Sequence, residues 1–293
     1  MSRPGSGGFS KIYPIAAPIA ALLAAMACFQ LGAVLAKGLF PRVGAPGVAA
    51  QRLAIASILL FAVWRPWRMR FTRKQARTIV IYGLAMGWMN FFFYLSLRQI
   101  PLGIAVALEF SGPLAVAMLA SRRPIDFLWI LMAALGLAAL LPLGLSPGAL
   151  PPLGIAYGLA AGVCWALYIV FGRRAGAAHG GQTTAVGTFI GAVIIVPIGI
   201  AQSGVQLFSA ASLPTAIGIA VLSSALPYSL EMFAMPRLPT RTFGVLMSLD
   251  PAFGALSGLC FLGEHLNLIQ WAAIASIMAA SAGSASMSAL VPD

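Results

Sequence analysis

Apolar residues in this chain come in long blocks separated by short clusters of Arg, Lys, Pro and Gly. Cutting at those clusters leaves ten segments, at residues 13–36, 46–64, 77–97, 102–121, 125–145, 153–172, 183–203, 213–235, 240–262 and 267–289. Each is near the ~20 residues that an apolar helix needs to cross a ~30 Å hydrocarbon core. The pattern predicts an all-α integral membrane protein with ten transmembrane helices. Gly and Pro inside several segments fit a bundle, where neighbouring helices re-satisfy freed backbone groups. The first block, "YPIAAPIAALLAAMACFQLGA", imitates a signal peptide, and its "AAMAC" imitates a lipoprotein cleavage site. Nine further blocks follow it and its length exceeds a signal h-region, so it reads as the first transmembrane helix.

Composition agrees: 60% of the 293 residues are hydrophobic and 8% charged, against roughly 45–50% apolar in soluble domains. Eighteen Lys and Arg outweigh six acids, for a net charge of +12. Such an excess marks either nucleic-acid binding or membrane topology, and its distribution decides. With the N-terminus inside, fourteen basic residues collect in inside loops, among them Arg3, Lys11, Arg65–Arg77, Arg122, Arg123, Arg173, Arg174, Arg237 and Arg241. Outside loops hold Lys37, Arg42 and Arg98, and Arg52 lies within a span. Both termini are therefore expected in the cytoplasm, and nucleic-acid binding is excluded. Cys28, Cys164 and Cys260 are odd in number and intrahelical, which fits packing rather than disulfides or reactive thiols.

The two halves repeat. "IPLGIAVALEFSGP" and "LPTRTFGVLMSLDP" keep two prolines in register, 101 over 239 and 113 over 251, both at an offset of 138. "MACFQLGAVLAKG" matches "GVCWALYIVFGRR" at an offset of 136, with Cys28 over Cys164 and Phe29 over Trp165. The expected organisation is five helices in 1–148 and five in 149–293. Because five is odd, the second copy enters the membrane inverted, a layout associated with secondary transporters.

Glu109 and Asp250 each fall about eight to ten residues into a span, roughly 12–15 Å deep at 1.5 Å per residue. A charge there is costly and needs a cavity or a partner. Around Glu109 the helical neighbours are Ala105, Val106, Gly112 and Pro113, a small-residue face. Burial favours the neutral acid and makes proton carriage possible; the simpler alternative is a protonated Glu bonded to an adjacent helix. Asp250 shares its face with Met247, Gly254 and Ser257, and Pro251 loosens the ladder beside it. Glu231, one turn from the inside end of its span, suits a gate or a snorkelling anchor, with Tyr228 on its face. Arg52 is suited to a substrate carboxylate or to neutralising Glu109 or Asp250. Asn90 and Tyr94 lie one turn apart, and Gln30 and Lys37 two turns apart; all four also suit ties between helices.

Other motifs carry no chemistry. "GLSPG", residues 144–148, matches G-x-S-x-G without the strand-to-helix turn that a nucleophile elbow requires. His179 and His265 have no clustered ligands, so no metal site is expected. The glycine pairs 83/87, 154/158/162, 187/191 and 254/258 signal close helix packing. Neither a nucleophile–base pair nor a phosphate-binding loop is present, which argues against an enzyme and against a cofactor.

"PLGIAVALEFSGPLAVAMLASRRPIDF", "SSALPYSLEM", "RLPTRTFGVLMSLDPAFGALSG", "VGAPGVAAQRLA" and "RAGAAHG" resemble the amino-acid exporters of the EamA family, in the drug/metabolite transporter superfamily. The resemblance spans nearly the whole chain. It implies a bacterial inner-membrane exporter of ten helices in two inverted EamA repeats, moving threonine and homoserine out of the cytoplasm in exchange for protons. It also allows an exporter of other amino acids, purines or amphipathic drugs on the same scaffold. Glu109 matches the acid of the fourth-helix motif, Glu231 that of "PYSLEM", and Asp250 the acid-Pro position of helix nine. The family pattern leads us to expect Glu at that last position; Asp is one methylene shorter. On this reading the substrate ammonium meets Glu109 or Asp250, its carboxylate meets Arg52, and Tyr94, Tyr168 and Tyr228 line the path and read its hydroxyl. The expected partners are a small amino acid, protons and the lipid bilayer.

Overall fold

The computed structural model describes residues 13–68, 72–120, 126–140, 150–179, 181–234, 237–238 and 240–288. Arg3, Lys11, Arg122, Arg123 and the "GLSPG" loop lie outside them. All regular structure among the described residues is helical. The order is α1 (Tyr13–Trp64), α2 (Arg73–Leu97), α3 (Leu102–Ala120), α4 (Asp126–Leu140), α5 (Pro152–His179), α6 (Gly181–Ser203), α7 (Leu213–Ala220), α8 (Leu226–Ala234), α9 (Thr240–Met247), α10 (Asp250–Leu262) and α11 (Leu268–Ser288).

Among the described residues, six stretches are long and apolar enough to cross a membrane: Ala16–Trp64, Arg73–Leu97, Pro152–Gly172, Gly181–Ser203, Leu213–Glu231 and Val245–Leu262. Shorter apolar helices occupy Leu102–Val116, Phe127–Leu140 and Leu268–Gly283. Large apolar side chains such as Ile58, Phe127, Leu135, Val163 and Phe261 are exposed on the outer faces. This inverts the soluble-protein pattern and suits hydrocarbon contact.

Three of the long helices are interrupted. Within α1 the chain turns at Gly44, whose φ of 69° lies in the left-handed region, where glycine alone is unstrained. α7 passes into α8 through a π-helical turn, Val221–Ala225. α9 and α10 are separated by Ser248 and Leu249, with Pro251 in the first turn of α10, where a missing N–H costs nothing. Helix also continues where the charge clusters suggested loops. α1 runs through Lys37 and Arg42, and α5 through Arg173 and Arg174.

The Lys37 ammonium has a partner within the protein. It forms an ion pair with Glu264 and also donates to the Ile100 carbonyl at 3.4 Å. The other Glu264 oxygen accepts from the Leu102 N–H at 2.7 Å. One carboxylate thus neutralises Lys37 and satisfies an orphan donor at the start of α3. Gly263, at φ 66°, ends α10 and redirects the chain so that Glu264 reaches α3.

The packing relies on glycine. A Cβ at Gly112 would lie 1.9 Å from the Gly162 carbonyl oxygen, at the crossing of α3 and α5. A Cβ at Gly87 would lie 2.7 Å from the Gly191 Cα, at the crossing of α2 and α6. A Cβ at Gly103 would lie 2.5 Å from the Ala255 Cα, where α3 meets α10. Small residues let backbones approach when lipid supplies no hydrophobic drive between helices.

Gly112→Ala is therefore expected to force α3 off α5 and destabilise the protein by about 1–3 kcal/mol. A Cβ at Gly38 has nothing within 4 Å, so Gly38→Ala is expected to be neutral or to stabilise by up to about 1 kcal/mol. Thermal unfolding of the purified variants in detergent checks both.

Candidate functional site

α3 carries Glu109 at its centre, with 9% of the residue exposed. The helix is apolar around its whole circumference apart from Glu109 and Ser111, as suits a helix inside a membrane protein. Its backbone presses on α5 at the Glu109 carbonyl, since a Cβ on Gly162 would lie 2.9 Å from that oxygen. On its other side it meets α10 at Ala255 and Gly254. This wedge brings Glu109 into electrostatic range of Asp250 and of Arg52. Glu231, half-buried on α8, is within range of Asp250. Among the described residues no hydrogen bond reaches the Glu109 carboxylate.

Asp250 is the first residue of α10, and 8% of it is exposed. The partial positive charge of a helix N-terminus favours a carboxylate there. Gln30 Nε2, from the first arm of α1, donates to Asp250 Oδ1 at 2.9 Å. The two acids do not occupy equivalent places in the sequence repeat. At the offset of 138, Asp250 falls over Gly112 and Glu109 under Met247.

Arg52, in the second arm of α1, is 7% exposed. Its hydrogen bonds go to neutral oxygens rather than to a carboxylate. Nη1 donates to Asn90 Oδ1, and Nη2 to the Ser223 carbonyl at 2.7 Å. Asn90 is held in that orientation by its own Nδ2, which donates to the Met86 carbonyl at 2.8 Å. Ser223 lies in the π-helical turn, where backbone carbonyls depart from the ordinary ladder. The guanidinium stands 5.6 Å from the Tyr94 ring centre, within cation–π range. Nε and the Tyr94 hydroxyl are buried without a hydrogen-bond partner among the described residues.

The structure thus gathers Glu109, Asp250, Glu231 and Arg52 into one electrostatic neighbourhood, with Asn90 and Tyr94 held against Arg52. Tyr168 is placed apart from Tyr94. It stacks on Tyr82 with ring centres 4.9 Å apart, and Tyr82 is about 18 Å along α2 from Tyr94 at 1.5 Å per residue. The Tyr228 side chain lies outside the described residues. Among the described residues no group of three or more His, Cys, Asp or Glu is placed to hold a metal. Chemically, the cluster offers carboxylates for an ammonium or a proton and a guanidinium for an anion. One participant escapes the sequence reading: the Ser223 carbonyl is a main-chain group that no residue type signals. Gln30 stands out in the sequence as a polar group within a span, but its pairing with Asp250 does not.

Interrupted apolar helices around buried acids and a buried guanidinium form a multi-pass membrane protein with a polar centre, and the chain belongs to the EamA-like transporter family. The family model matches residues 152–285. Over 94% of its length the chain is 55% identical to the threonine/homoserine exporter RhtA of Salmonella typhimurium, covering 94% of that protein. It is equally 55% identical to the threonine/homoserine exporter RhtA of Escherichia coli (strain K12), with 94% of both chains covered. A protein of known crystal structure superposes with a TM-score of 0.54 at 19% identity, over 94% of this chain and 98% of its own. That likeness concerns the fold alone.

Asn90→Leu removes the acceptor of Arg52 Nη1 and is expected to cost about 1.5–3 kcal/mol, the worth of a hydrogen bond to a charged group. Asn90→Asp keeps an acceptor and is expected to retain most of the stability. Unfolding midpoints in detergent distinguish the two.

Proposed function

We propose that this chain exports threonine, homoserine and related small amino acids across the bacterial inner membrane by alternating access, with protons moving inward. The observation that carries this reading is the convergence of Glu109, Asp250 and Arg52 inside a chain 55% identical, over 94% of its length, to threonine/homoserine exporters. A zwitterion needs an anion for its ammonium and a cation for its carboxylate. Glu109 and Asp250 supply the first, and either also serves as proton carrier. Arg52 supplies the second through its unpartnered Nε, and Asn90 and Tyr94 hold the guanidinium in place. Glu231 extends the acidic path along α8, whereas Tyr168, stacked on Tyr82, stands away from it.

The proposed architecture is ten membrane helices in two inverted repeats, 1–148 and 149–293, with both termini cytoplasmic. The two arms of α1 are the first two helices, α7 with α8 forms the eighth, and α9 with α10 the ninth. The pairing of elements supports this organisation. α3 packs on α10 and α4 on α11, the fourth on the ninth and the fifth on the tenth. α2 packs on α5, third on sixth, and its image is α1 on α8, first on eighth. Second meets seventh where a Cβ on Gly199 would lie 2.3 Å from the Ala50 Cβ. A two-fold relation between the halves generates this set of pairs. The interrupted helices fit as well, since discontinuous helices frame midplane sites in secondary transporters.

Efflux of preloaded labelled threonine and homoserine from vesicles containing the purified protein, with and without an imposed proton gradient, tests the reading. Gradient-dependent efflux is expected. Glu109→Gln is expected to abolish substrate-driven proton movement while the protein still inserts and remains monodisperse. Unchanged coupling in that variant would overturn the proton role of Glu109. Stronger competition from purines or amphipathic drugs than from homoserine would move the substrate assignment to those compounds.

A further inference from the structure

Gln30 is 3% exposed, and its amide is half used. Nε2 donates to Asp250 Oδ1 at 2.9 Å, whereas Oε1 is buried with no hydrogen-bond partner among the described residues. Leaving such an acceptor unpaired is costly, and unpaired buried groups in native proteins call for an explanation. The space beside Oε1 is kept by a missing side chain. A Cβ on Gly254 would lie 3.4 Å from Oε1 and 3.0 Å from Val106 Cγ2. Oε1 therefore faces the junction of the first arm of α1, α3 and α10. Val106 is one turn before Glu109 on α3, and Gly254 one turn after Asp250 on α10, so the orphan oxygen lies against both helices, one turn along each from its acid.

We propose that Gln30 determines substrate specificity, with Nε2 orienting the Asp250 carboxylate and Oε1 accepting the hydrogen of the substrate's side-chain hydroxyl. The assignment rests on the exporter reading above. Division of labour follows from chemistry. An ammonium is drawn to the carboxylates, which outcompete a neutral amide for it. A hydroxyl donor suits a neutral acceptor, and Oε1 is the buried one left open beside Asp250. Threonine and homoserine differ in where the hydroxyl stands but share it. Valine and norvaline match their shapes and lack it. A site built to bond a hydroxyl rejects such analogues strongly, because its own polar group is then left unpaired.

The test is counterflow of labelled threonine in vesicles, with unlabelled threonine, valine, homoserine and norvaline as competitors. Wild-type protein is expected to prefer threonine to valine, and homoserine to norvaline, by at least about 100-fold. Gln30→Met, similar in shape and without the acceptor, is expected to collapse both ratios to within about threefold. Gly254→Ala keeps Gln30 and fills the space beside Oε1; it is expected to weaken threonine more than valine. A Gln30 that merely braces Asp250 would lower transport of all four compounds together and leave the ratios unchanged. Unchanged ratios in Gln30→Met overturn the assignment, and if that variant fails to insert, unchanged ratios in Gly254→Ala do so. Wild-type protein that moves no threonine overturns the exporter reading and this assignment together; threonine movement with unaltered ratios in the variants overturns this assignment alone.

Discussion

Everything near the centre of the molecule depends on α3 being held between two helices with almost no side chain intervening. Gly112 meets the carbonyl of Gly162 on α5, and Gly103 meets the backbone of α10 at Ala255. In a bilayer the helices gain little from hiding apolar surface, because lipid is as apolar as they are. Close backbone contact is then the main source of attraction, and glycine permits it. The contact has a second effect. It fixes the depth and rotation of α3, and so brings Glu109 beside Asp250 although the two stand 141 positions apart, 109 against 250.

With the backbones set, electrostatics decides how each buried charge is tolerated. Lys37 and Glu264 neutralise each other. Arg52 is held by an amide oxygen and a main-chain carbonyl, which solvate a cation without cancelling its charge. Asp250 is solvated by the Gln30 amide and by the N-terminus of α10. Neutral dipoles of this kind leave a net field around the cluster, where an ion pair would have quenched it. The difference matters for a transporter, since a quenched pair has nothing left for a visiting zwitterion.

The interruptions in the long helices serve the same end. A continuous helix presents no free backbone groups at membrane depth. The π-helical turn offers Ser223's carbonyl to Arg52, and the break at Ser248 and Leu249 offers the start of α10 to Asp250. The related prolines are used differently: α3 runs unbroken through Pro113, whereas the chain breaks just before Pro251. Two prolines matched in sequence therefore do not impose identical local structure, because their surroundings differ.

The sequence alone established that the chain is helical and lives in a membrane, since blocks of apolar residues at bilayer length have no other stable arrangement. It also singled out Glu109, Asp250, Arg52 and Asn90, because a polar group in such a block needs a reason that residue type reveals. The glycine pairs announced close packing, and Gly87 against Gly191 is one such crossing. Partners were beyond its reach. That Arg52 is satisfied by Ser223's carbonyl, that Lys37 finds Glu264, and that Gln30 rather than a basic side chain solvates Asp250 all depend on contacts between distant segments. Local pattern reports what each residue requires; only the packed helices decide which group supplies it.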